Sequence, residues 1–171
     1  MQKQVPFQEA IVRKYPEPVA IALARAPNGV VNPITLGWVM PTSFEPPQFA
    51  ISIGLTRYSL EVIREAGEFV LAFPSVYQLE EALYFGKVSG REVDKLKERG
   101  TPTQPAVKID SLLLAEAVAN FECVVVGELL TGDHVIFAGE VVAAHVNEKP
   151  LPRLYTIGPN HLLGAAEPKK L

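Results

Sequence analysis

The 171-residue sequence predicts a mainly β protein: a small closed or partly closed barrel with a few short helices inserted between its strands. Three observations carry this. Apolar, β-rich runs recur with Gly- or Pro-bearing turns between them, and the two longest, Ala117–Leu130 and His134–Val146, meet at Thr131-Gly132-Asp133. Helical periodicity is confined to short stretches that do not alternate regularly with strands, which argues against a doubly wound sheet. With 48% apolar and 20% charged residues, the chain suits one compact domain over residues 1–171 with a sizeable core.

Taken in order, Phe7–Pro18 is polar and proline-bearing and reads as an arm over the core. Val19–Ala26 and Val30–Met40 flank Pro27-Asn28-Gly29; Asn-Gly tolerates the positive φ of a tight turn, so the pair reads as a β-hairpin. Pro33 has no N–H and places the start of the second strand at an edge or bulge. Pro41, Pro46 and Pro47 predict an extended, irregular crossing before Gln48–Gly54 resumes as a strand. From Tyr58 the period changes: Leu60 and Ile63 oppose Glu61 and Glu65 on a short helix ended by Gly67. Glu68–Phe73 is a buried strand, and Ser75 reads as the N-cap of a helix over Val76–Phe85. Glu92–Arg99 reads as a charged helix ended by Gly100, Thr101–Pro105 as a loop, and Val107–Ile109 as a short strand before the two long ones.

Net charge is −3 with the signs intermingled, which leaves no electrostatic footprint for nucleic acid or an anionic membrane. No apolar run approaches the roughly 18 residues of a membrane helix, and the first residues lack a continuous apolar h-region. The single cysteine, Cys123, permits no intramolecular disulfide, and no Cys/His cluster has metal-ligand spacing. The reading is a soluble, cytoplasmic protein without a metal. No serine stands in a G-x-S-x-G setting and Cys123 is mid-strand, so no catalytic nucleophile is assigned.

Thr56, Arg57, Tyr58 and Ser59 bring hydroxyls, a guanidinium and backbone N–H groups to a helix start, where an anion is favoured; the alternative is that Thr56 or Ser59 merely caps the helix. Ser89-Gly90-Arg91 offers a second nest, and Lys95, one helical turn beyond Arg91, would put both cations on one side. The bland reading of the charge run is a solvated face. Trp38, Val39, Met40, Pro41 and Thr42 offer backbone that cannot all pair in a ladder beside an indole and a thioether, suited to a planar heteroaromatic or to ordinary core. His134 sits at a hairpin end; His145 and His161 have no obvious partner.

Four blocks stand in register: Asn32-Pro33-Ile34-Thr35 with Trp38, Ser43 and Pro46-Pro47; Arg57-Tyr58-Ser59 with Glu68-Phe69-Val70; Ser89-Gly90-Arg91-Glu92-Val93-Asp94-Lys95; and Gly132-Asp133-His134 with Gly139-Glu140-Val141. Together they resemble the flavin reductase-like FMN-binding split-barrel family, which includes flavoredoxin, archaeal ferric reductases and the reductase components of two-component monooxygenases. The resemblance covers nearly the whole chain. It implies a homodimer of Greek-key split β-barrels with one FMN per subunit near the interface, NADH or NADPH as transient donor, and a small-molecule or protein acceptor. By position, Trp38 to Thr42 would line the isoalloxazine and Thr56 to Ser59 would hold the 5′-phosphate. Ser89, Gly90, Arg91 and Lys95 would close over phosphate and ribityl chain, with His134 near the ring or the nicotinamide. Val39-Met40-Pro41-Thr42 departs from the small, Ser-rich or Asn-bearing run of many relatives. The implied activity is an NAD(P)H:flavin reductase without a catalytic side chain. The alternatives are a flavoredoxin-like FMN electron carrier and a non-catalytic flavin-binding barrel.

Overall fold

The computed structural model describes residues 1–165. In chain order the elements begin with α1 (Phe7–Ile11), β1 (Glu17–Pro18), β2 (Ala20–Arg25), β3 (Val31–Leu36), β4 (Val39–Phe44) and β5 (Pro47–Gly54). Next come α2 (Tyr58–Ala66), β6 (Glu68–Pro74), a single 3₁₀ turn (Val76–Gln78), α3 (Leu79–Lys87) and α4 (Lys95–Arg99). The chain continues through β7 (Thr103–Pro105), β8 (Leu112–Leu114), β9 (Ala117–Thr131), β10 (His134–Val146), β11 (Leu154–Gly158) and β12 (Leu162–Ala165).

Seven strands form one antiparallel sheet in the order β3-β2-β6-β9-β10-β5-β4. The period-2 alternation of side chains sorts its two faces. Ala20, Ala22 and Ala24 of β2 join Ile51, Phe69, Cys123 and Phe137 in one buried cluster that draws on every strand of the sheet but β4, whose half-buried Val39 packs against it, and Leu60, Val62 and Ile63 of α2 plug it. Ile21 and Leu23 point the other way, under Phe85 of α3, Leu96 of α4 and Leu114 of β8. With both faces covered, β2 reads as a near-continuous apolar run rather than an alternating one. The mainly β barrel with inserted helices is therefore the observed fold.

The Asn28-Gly29 hairpin forms, with Gly29 at φ 84°, and Pro33 lies in β3 at the sheet edge. That strand stops at Leu36, however, and Val39–Phe44 is a separate element. The three prolines do not make an irregular crossing. β4 and β5 pair as a hairpin from Val39↔Ile51 to Phe44↔Pro47, and a register shift between Pro41 and Ser43 absorbs the misfit. β4 is the other edge strand, so the missing N–H of Pro41 need not interrupt the ladder.

Four further expectations are corrected. The helix expected over Glu92–Arg99 begins at Lys95, because the Asp94 side chain caps it by accepting from Lys97 N at 3.1 Å; Arg91 lies outside it. Ser75 opens the 3₁₀ turn rather than α3 itself. Val107–Ile109 is not a strand: its three N–H groups turn onto the Glu122 carboxylate at 2.9, 2.6 and 3.1 Å. The segment Phe7–Pro18 carries α1 and then β1, which pairs with β11 in a small β1-β11-β12 sheet. Among the described residues no helix is long and apolar enough to cross a membrane, and no group of three or more His, Cys, Asp or Glu could hold a metal ion.

Candidate functional site

A cleft of about 380 Å³ opens where β3 and β5 meet α3, walled on the outside by residues of the 7–17 segment and by His161 and Leu163 near β12. Trp38, Gly54, Arg57 and His134 also line it. His134 faces Gly54 across the β10–β5 ladder, a neighbour without a side chain, and its ring packs on Trp38 with centroids 4.7 Å apart and planes at 38°. His134 Nδ1 donates to Asp133 Oδ1 at 2.7 Å, and this bond holds the Asp133 carboxyl below its ordinary range. Trp38 keeps 49% of its surface exposed, so the tilted pair offers an aromatic platform open on the cleft side.

Charge collects in the same cleft. Lys14, Arg57 and Lys87 line it against one carboxylate, Glu17, on a chain whose net charge is negative. Lys14 pairs with Glu17, and burial lowers the Lys14 pKa. Arg57 makes no ion pair among the described residues. It occupies the N-cap of α2 without a side-chain cap, so neither Thr56 nor Ser59 closes the helix start; the Leu60 N–H bonds back to Arg57 O at 3.0 Å, and the N–H groups of Tyr58 and Ser59 stay open to an acceptor. Thr56 is exposed; Ser59 is buried and accepts from Asn32 Nδ2 at 2.8 Å.

The second nest lies against the first. A Cβ on Gly90 would sit 3.4 Å from the Tyr58 ring, and the Arg91 guanidinium lies 4.9 Å from that ring's centroid while pairing with Glu61. Ser89 Oγ accepts from Arg91 N at 3.3 Å. Residues 56–59 and 89–91 are thus neighbours across Tyr58.

Lys95 is placed differently from the expectation. It does not share a helix face with Arg91; it is 3% exposed and donates from Nζ to Pro33 O and to Phe85 O, the latter at 3.2 Å. There it satisfies a carbonyl at the end of α3 and one on the edge strand β3. No carboxylate lies within ion-pair distance among the described residues. Burial first, then the nearby Arg57 charge, lowers its pKa to about 8.

From the Trp38–Thr42 run only Trp38 lines the cleft; Val39 packs toward the barrel interior, while Met40, Pro41 and Thr42 are exposed along β4. Sequence reasoning passed over Asn32 as a site residue, and also Lys14, Thr35 and Lys87. Lys87 carried a readable signal, a cation two residues before the Ser89 nest. Lys14 carried none, because the fold alone brings the 7–17 segment to the cleft. His145 does have a partner: its Nε2 donates to Glu122 at 2.7 Å, and neither residue lines the cleft.

A sheet curled around an apolar plug, with a cation-rich cleft beside an aromatic platform, defines a split barrel with a candidate ligand cleft. The chain belongs to the flavin reductase-like family, whose domain model, described as "Flavin reductase like domain", matches residues 12–159. An uncharacterized protein of Archaeoglobus fulgidus is 37% identical over 117 residues, covering 67% of this chain and 66% of that protein, just under two thirds of its length. An NADH-dependent FMN reductase of Streptomyces nodosus is 27% identical over 135 residues, 77% of this chain and 70% of that one. Flavoredoxin from Methanosarcina acetivorans superposes with a TM-score of 0.87 at 26% identity, covering 99% of this chain and 94% of that structure.

Proposed function

We propose that this chain is a single-domain, cytoplasmic FMN-binding oxidoreductase that acts as a homodimeric NAD(P)H:flavin reductase. One observation supports this most: an acidic chain gathers Lys14, Arg57 and Lys87 into one cleft beside the Trp38–His134 platform, with Arg57 at an uncapped helix start. An aromatic face beside an unpaired cation and open N–H groups suits a planar ring that carries a phosphate. In this reading Arg57 and the N–H groups of Tyr58 and Ser59 hold the phosphate, and Ser89, Gly90 and Arg91 flank it across Tyr58. Trp38 and His134 orient the ring, and the 7–17 segment shields it from water. Bound FMN supplies the two-electron redox chemistry; the chain's own groups bind, orient and exclude solvent.

Arg57→Ala is expected to weaken FMN binding by about 2 kcal/mol, roughly thirtyfold, in a flavin-fluorescence titration. Wild-type protein that binds no added FMN ends the cofactor reading. Anaerobic mixing with NADH and with NADPH decides the donor: bleaching within seconds supports the reductase, and bleaching only by a reduced protein partner supports the flavoredoxin-like carrier.

The homodimer rests on an unpartnered apolar face. Met40, 56% exposed, and Leu129, 62% exposed, share the outer side of the sheet with Ile136 and Ala138. Leu129→Glu is expected to turn a dimer into a monomer in sedimentation velocity. A wild-type protein that sediments as a monomer overturns this part of the proposal.

A further inference from the structure

Asn32 lies on β3 opposite Ala24, whose small side chain leaves room for an inward amide at the barrel mouth. It is 4% exposed. Its Nδ2 donates to Ser59 Oγ, 27 residues away in the chain, and its Oδ1 is buried without a partner. Gly90 sits so close that any Cβ there would collide with Asn32 Oδ1. One amide therefore touches both segments that flank Tyr58, the start of α2 and the 89–91 loop.

A buried acceptor left unpaired is a net cost to folding, and an apolar side chain of similar size would avoid it. Its place between two anion-seat segments gives the amide a different task. We propose that Asn32 is the positioning residue of the phosphate seat: it holds Ser59 from one side and sets the approach of Gly90 on the other. Both segments then present their N–H groups toward one anion. This rests on the flavin reading above. A Cβ at position 90 would force the Asn32 amide to move, so glycine there keeps the amide in its present place.

The test separates phosphate from ring by titrating wild type, Asn32→Ala and Asn32→Asp with FMN and with riboflavin, which lacks the phosphate, while thermal unfolding is followed in parallel. Asn32→Ala is expected to lose about tenfold in FMN affinity, and Asn32→Asp, which puts a carboxylate against the seat, about a hundredfold. Riboflavin affinity is expected to stay within about threefold of wild type in both. A parallel loss for the two flavins means Asn32 supports only the scaffold and overturns the proposal; unchanged FMN affinity in Asn32→Ala overturns it too. Asn32→Ala decides alone if the buried carboxylate prevents folding. A wild type that binds neither flavin overturns the flavin reading itself and this assignment with it.

Discussion

Glu122→Leu is expected to destabilise the fold by about 3–5 kcal/mol, the cost of stranding groups that a buried charge had satisfied. Glu122 is fully buried on β9, and its carboxylate accepts from the N–H groups of Val107, Lys108 and Ile109 and from His145 Nε2 at 2.7 Å. A leucine fills the space but leaves three backbone donors unpaired. The 106–111 loop should then open first, as cleavage there in limited proteolysis, with the thermal midpoint lower by roughly 10 °C. Unchanged thermal and denaturant midpoints would show that the loop is held elsewhere.

The same group sets an acid limb. Burial pushes the Glu122 carboxyl up, but its hydrogen bonds from Val107, Lys108, His145 and Ile109 outweigh burial and hold it below its ordinary 4.5. A carboxyl lowered in the native state contributes stability that is complete above the unfolded value and is lost as pH falls through the native one. Denaturant unfolding from pH 6 to pH 3 should therefore steepen in wild type and flatten in Glu122→Leu.

Lys95→Met is expected to separate stability from binding. The apo protein should change little in stability, because removing a buried cation that lacks a carboxylate partner, with the aliphatic volume kept, offsets the loss of a donor to the Pro33 and Phe85 carbonyls. FMN affinity should fall by about tenfold, one pK unit's worth of interaction. The pH dependence follows from the lowered pKa. Burial and Arg57 bring Lys95 to about 8 in the native state against an ordinary 10.5, so its charge penalty is present below pH 8 and fades as pH rises toward 10.5. An anion bound beside Arg57 restores the charged form, so FMN affinity should decline between about pH 8 and 10 in wild type. Parallel titrations of wild type and Lys95→Met over that range test this: equal slopes would mean that Lys95 does not sense the anion.

Several elements were legible because their causes are local. Asn28-Gly29 makes its hairpin from two residues, Leu60 and Ile63 place α2 on the core by helical spacing, and Gly67 ends that helix with φ 67°. The fold class followed from the same short-range signals. The β4–β5 hairpin was not legible, because a proline's effect on a ladder depends on whether its strand lies at an edge, and edges are set by the whole sheet. Nor was the strand misassignment at Val107–Ile109 avoidable from composition: its N–H groups go to a carboxylate on β9.

In the candidate site, the sequence by itself determined which residue types are available and which stretches hold them: a Trp, a guanidinium at a helix start, a Gly-bearing nest and a hairpin histidine. Those choices rest on backbone propensity and on spacing within a few residues. Only the tertiary structure decided that His134 packs on Trp38, that Lys95 turns to two carbonyls instead of standing beside Arg91, and that Asn32 joins Ser59 to Gly90. The physical reason is that each of these contacts joins residues far apart in the chain. Their geometry is fixed by strand register and core packing, which no local pattern encodes.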